Sequence, residues 1–170
     1  MIRDEVKGLA VAVRKNYDAL PPGAKALLRR CTTADELRAE GVYWRLVDDA
    51  GVPPDARPNM AHVVACFDTA EAGGESFAGW LRRTAYHKVK PSDLPARSVR
   101  FRRLVAANYG DELVHHLRAL LRQGFQKSKA GVDWGELGAD IFFWGDGVRR
   151  RWAEQFFTNA ESQTEENRHV

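Results

Sequence analysis

The sequence predicts an all-α fold, a helical bundle of about eight helices in two small lobes, from three observations. Apolar residues recur at helical spacing along most of the chain. No segment sustains period-two alternation. The strand-favouring Val, Ile and Thr are not enriched.

Val6, Leu9, Val13 and Tyr17 place a first helix over residues 2–19. Pro22 opens a second, since a proline at the first helical position loses no hydrogen bond. Thr33 with Glu36 forms a capping-box pattern ahead of a third helix carrying Leu37, Tyr43, Trp44 and Val47. Pro53, Pro54 and Pro58 interrupt the chain, and a helix follows over 59–72. After Gly73-Gly74 another runs from Ser76 to near Tyr86.

Pro91 and Pro95 mark residues 88–98 as a linker between an N-terminal helical lobe, 1–90, and a C-terminal helical lobe, 91–160. Ser98 caps a helix to Asn108, and Asp111 caps one to near Gln126. Asp133 caps a helix ending near Trp144, and Gly145 to Gly147 turn the chain into the last one. Residues 161–170 hold Glu161, Glu165 and Glu166 against Arg168 without apolar periodicity, and read as an acidic disordered tail.

Net charge is only +3 over 170 residues, but it is unevenly placed. Arg97, Arg100, Arg102, Arg103, Arg118, Arg122, Lys127 and Lys129 face only Asp111 and Glu112 between positions 97 and 129. Cys31 and Cys66 are far apart and form no Cys-x-x-Cys pair, which fits a reducing cytoplasmic compartment. No run approaches the roughly 20 apolar residues of a membrane span, so a soluble, membrane-free protein is expected.

The charge has a direction. At about 100° per residue, the helix from Ser98 puts Phe101, Leu104, Val105 and Asn108 on one arc, with Arg100, Arg102 and Arg103 outside it. In the next helix Leu113, Leu117, Leu120 and Leu121 form the core stripe, and His115, Arg118 and Arg122 form a basic stripe beside it. Further on, Trp134, Phe142, Phe143, Trp144, Trp152, Phe156 and Phe157 surround Arg149-Arg150-Arg151. Three successive arginines cannot all be buried unpaired, so part of this charge faces outward. Trp134, Leu137, Ile141 and Trp144 share a core face, Phe143 points the other way, and Trp44 and Trp80 read as core.

Catalytic constellations are poor. His115 and His116 are adjacent and face different sides, unlike an i, i+4 metal pair. His62 and Cys66 lack an orienting third group, and Gly73-Gly74-Glu75-Ser76 lacks the lysine of a phosphate loop. No enzyme and no cofactor is expected. The partner expected is an anionic polymer.

Four stretches carry a family resemblance: Tyr43-Trp44-Arg45-Leu46; Arg100-Phe101-Arg102-Arg103-Leu104; the Leu- and Arg-rich helix from Glu112 to Arg122; and Val132-Asp133-Trp134, Leu137, Asp140, Trp144 and Arg149 to Arg151 running into Trp152-Ala153 and Phe156-Phe157. In their order and spacing the chain resembles the CasB family, the small subunit of the type I-E CRISPR Cascade complex. Residues 66–95 fit that pattern only loosely.

The resemblance implies a non-catalytic, two-lobed helical subunit present in two copies beside other Cascade subunits. It would bind guide RNA and target DNA through the backbone and help hold the displaced, single-stranded non-target DNA in an R-loop. On that reading Arg100, Arg102, Arg103, Arg118 and Arg122 contact phosphates in the main groove. Lys127 and Lys129 add contacts from a loop, one or two of Arg149, Arg150 and Arg151 face the strand, and Arg29 and Arg30 extend the surface. One of the three successive arginines is expected to pair with Glu154 or Asp146.

Two rival readings remain. One is a helical protein–protein interaction subunit without direct nucleic-acid contact. The other is a helix-turn-helix reader around Asn108-Tyr109-Gly110, which Asp111-Glu112 disfavours by presenting acid to the groove.

Overall fold

The computed structural model describes residues 1–166, with side chains through Thr158. Its described residues form eleven α-helices and one short strand. The N-terminal elements are α1 (Arg3–Asp18), α2 (Pro22–Arg29), α3 (Ala34–Arg38), α4 (Gly41–Asp49) and α5 (Arg57–Val64). Then come β1 (Ala72–Glu75), α6 (Phe77–Thr84), α7 (Leu94–Arg97) and α8 (Val99–Val105). The chain continues through α9 (Asp111–Lys127), α10 (Trp134–Phe142) and α11 (Asp146–Glu166). The all-α class holds, with more and shorter helices than expected.

The differences from the expected helices have identifiable causes. The expected third helix divides into α3 and α4 because Glu40 is extended, with φ −101° and ψ 127°. Thr33 does cap α3, accepting a hydrogen bond from the Glu36 N–H at 3.2 Å. The helix expected over 59–72 stops at Val64. Beyond it, two buried arginines from distant helices take the backbone carbonyls. Arg14 of α1 donates to the Phe67 and Ala70 carbonyls at 2.9 and 3.0 Å, and Arg118 of α9 donates to the Ala65 carbonyl. These carbonyls are satisfied by guanidinium donors, and the chain turns through a 3₁₀ segment, Phe67–Thr69, into β1. The stretch after α6, expected to be a linker, contains the short helix α7.

β1 pairs with the segment before α10. The Val132 N–H donates to the Glu71 carbonyl at 3.1 Å and the Asp133 N–H to the Glu75 carbonyl at 2.7 Å. A Cβ on Gly73 would lie 2.4 Å from the Gly131 carbonyl oxygen, so this crossing admits only glycine.

One apolar cluster runs from Val13 to Phe156. α10 lies against α1 and α5, and α11 lies against α6 and α8, so this core crosses the Pro91–Pro95 stretch. α1 and α10 approach closely because Gly138 faces Ala10, where an added Cβ would come within 2.5 Å of the Ala10 Cβ. In the other half Trp152 packs on Phe77 with ring centres 4.7 Å apart, and Phe156 stacks on Phe101 at 3.9 Å. Trp80 is fully buried as expected, but Trp44 is not core: it is 37% exposed and donates its Nε1–H to the Arg38 carbonyl at 2.8 Å. The acidic tail expected at 161–170 lies outside the residues whose side chains are described. No helix among the described residues is long and apolar enough to cross a membrane.

Candidate nucleic-acid interface

α8 presents its charge as its periodicity predicts. Phe101 and Leu104 are fully buried, and the flanking Arg100, Arg102 and Arg103 are exposed. The buried Ser98 hydroxyl donates to the Leu94 carbonyl at 2.6 Å and ties the start of α8 to α7. None of the three arginines forms an ion pair among the described residues. Their charge is not balanced by a carboxylate contact among the described residues.

α9 departs from the expectation. Arg118 is 5% exposed and bound in a fork to Asp68, at 2.5 Å and 3.1 Å, besides its bond to the Ala65 carbonyl. It is a core residue, removed from the phosphate-contact set. The helical geometry explains this: Arg118 lies only about 40° from buried Val114, at the edge of the apolar arc. A carboxylate packed opposite draws it inward. Arg122, one turn on, is 54% exposed and shares Asp68 at 3.4 Å, so it keeps a free face.

The remaining sites divide the same way. Arg29 and Arg30 are exposed at the end of α2. Lys127 closes α9 exposed, and the exposed Lys129 holds its ammonium 4.3 Å from the Phe125 ring centre. Arg150 is exposed, whereas its neighbours are engaged. Arg149 donates to the Ala107 carbonyl at 2.8 Å and to Asp146 at 3.1 Å, and lies over the Trp144 ring at 5.5 Å. Its bond to Ala107 joins Trp144, whose Nε1–H donates to the same oxygen at 2.9 Å, so Arg149 pins α11 to the end of α8. Arg149 is thus a structural residue first, and the expected pairing with Asp146 is present. Arg151 binds Asp140, a buried carboxylate that also accepts from Arg3 and from the Trp152 Nε1–H.

Sequence reading counted Arg97 in the basic excess without assigning it a contact, and passed over Lys88 and Lys90. Lys88, Lys90 and Arg97 are exposed and form no ion pair among the described residues, but they lie in the stretch read as a linker. The available signal was compositional: residues 76–110 hold eight arginines and lysines against Asp93 alone.

Nucleophile chemistry finds no foothold at Cys66. Burial pushes its thiol up to about 12, which leaves almost no thiolate at neutral pH. Among the described residues no three His, Cys, Asp or Glu side chains converge as a metal site.

Comparisons with known proteins give the family and the fold. The family model for CRISPR-associated protein Cse2 matches residues 24–157. The chain belongs to the Cse2 family. CasB is the Cse2 protein, so the resemblance read from the sequence points to the same family. No curated protein matches the chain in sequence. Among solved structures, this family member is similar to a chain of E. coli Cascade crystallised with a PAM-containing double-stranded DNA target. The similarity has a TM-score of 0.67 at 22% identity, over 90% of this chain and 97% of that one, and it shows a shared fold.

Proposed function

We propose that this chain is a non-catalytic subunit of a cytoplasmic Cascade-type assembly, one that holds nucleic acid by its backbone without reading bases. Its ligands on this reading are guide RNA, target DNA and the displaced single strand, and its neighbours are other Cascade subunits and a second copy of itself. One observation carries the proposal: α8 exposes Arg100, Arg102 and Arg103 with no carboxylate partner among the described residues. Arg122, Lys127, Lys129, Arg150, Arg29 and Arg30 add exposed charge elsewhere.

A guide-programmed system needs this chemistry. Base pairing reads the sequence, and exchanging a DNA duplex for a guide heteroduplex is nearly balanced in free energy. Backbone contacts that favour the opened state therefore tip the exchange.

Binding of the purified chain to labelled single-stranded DNA over a salt series tests the reading. Six phosphate contacts would give a slope of log affinity on log salt near −4, about 0.7 per contact. Arg100→Glu with Arg103→Glu should weaken binding, reduce the slope and leave the circular dichroism spectrum intact. Salt-independent or absent binding would favour the second reading, a protein-contact subunit. The exposure of Trp44 and Phe143, at 37% and 39%, gives that alternative its footing.

A further inference from the structure

The loop after α6 is built on an unusual support. Arg82 is 91% buried, and among the described residues no carboxylate pairs with it. Its guanidinium donates instead to two carbonyls of the loop, those of Tyr86 and Val89, the second at 2.9 Å, while its Nε–H has no partner. Two further bonds shape the same loop. The Val89 N–H returns to the Tyr86 carbonyl at 3.1 Å, and the Asp93 N–H donates to the Lys90 carbonyl at 2.9 Å. A buried cation that only holds backbone is costly, because its charge has lost water and gained no counter-ion.

The loop so held exposes His87, Lys88 and Lys90. It lies beside α8. Tyr86 packs edge-on against Phe156 with centres 5.2 Å apart, and Phe156 stacks on Phe101 of α8. The carboxylates that could neutralise this area are few. Glu75 is taken by Arg83, and Asp93 is the sole acid between residues 76 and 110.

We infer that the Tyr86–Lys90 loop is a second phosphate-binding point, with Lys88 and Lys90 as the contacts and Arg82 as the residue that positions them. This rests on the backbone-binding reading of α8 and extends its surface onto an element outside the expected set. The fork of Arg82 across two carbonyls fixes the loop, and Tyr86 docks it through Phe156 onto α8, so two flexible lysines stand on an element packed toward the arginine-bearing helix. The buried guanidinium adds to the positive potential there, which an approaching phosphate compensates.

The test compares wild-type chain, Lys88→Ala with Lys90→Ala, and Arg82→Lys on one labelled single-stranded DNA oligonucleotide across a salt series. Loss of two phosphate contacts should flatten the slope of the double variant by about 1.4. Arg82→Lys keeps a charge but not the fork, and it should flatten the slope while the helical spectrum is retained. A binding wild type with an unchanged slope in the double variant overturns the loop assignment alone. An Arg82→Lys chain with a wild-type slope removes the positioning role. A wild type without salt-dependent binding overturns the backbone-binding reading and the loop with it.

Discussion

Arg103 and Arg118 occupy neighbouring helices and carry the same side chain, yet their surroundings assign them opposite work. Arg103 is exposed and unpaired among the described residues, whereas Arg118 is buried against Asp68. Removing Arg118 leaves the buried Asp68 with only the exposed Arg122 at 3.4 Å, and breaking such a buried pair costs about 3–5 kcal/mol. Arg118→Ala should therefore show that order of destabilisation in urea unfolding. Arg103→Ala should stay within about 0.5 kcal/mol of wild type. An Arg118→Ala chain as stable as wild type would remove its structural assignment.

At the scale of elements, α1 and α10 pack closely. Gly138 faces Ala10 with no space for a methyl group. Gly138→Ala must separate the two helices or shift Ala10, a cost of about 1–3 kcal/mol for overpacking. Thermal melting reads this, and a variant that melts with wild type would show that the contact yields easily. Ionic ties reinforce the same pair of helices: Glu136 accepts from Arg3 and Lys7, and Asp140 accepts from Arg3.

For the whole molecule, buried His62 and the Glu136 ties make stability depend on pH in two steps. Burial lowers the His62 pKa below its ordinary value of 6.5, so the folded state prefers the neutral ring. Its contribution is complete above that value and fades as pH drops below it. Burial pushes the Glu136 carboxyl up, but hydrogen bonds from Lys7 and Arg3 outweigh this and hold it below its ordinary value of 4.5. That contribution is complete above the ordinary carboxylate value and is lost as pH falls through the lowered one. Melting temperature should fall in the first step below neutrality and again in acid. His62→Gln should erase the first step and Glu136→Gln reduce the second, and unchanged profiles would refute the assignments.

Much of the architecture was legible in the residue order. Helical spacing located α1, α9 and α10, and proline and glycine signals placed α2, α6 and α11. The Thr33 and Asp133 caps form as expected, with the Asp133 carboxylate accepting from the Glu136 N–H at 3.0 Å, whereas Ser98 and Asp111 make no cap bond. The outward face of α8 was legible too, because a buried Phe101 and Leu104 leave its arginines only one direction. These are local consequences of side-chain direction on a helix.

What the chain order could not reveal was which cation meets which oxygen. Arg118 looked like a member of a surface stripe until Asp68, fifty residues earlier, was packed against it. The ending of α5 likewise depends on Arg14 and Arg118, both distant in sequence. Arg82 lay in an expected helix, and Lys88 and Lys90 at the start of the stretch read as a linker, so nothing in the chain order joined them. Helical periodicity is set by each residue and its near neighbours. Pairing of charges is set by contacts across the fold, so composition alone determined that this protein carries unbalanced positive charge, and tertiary packing decided which of that charge is spent inside and which remains for a partner.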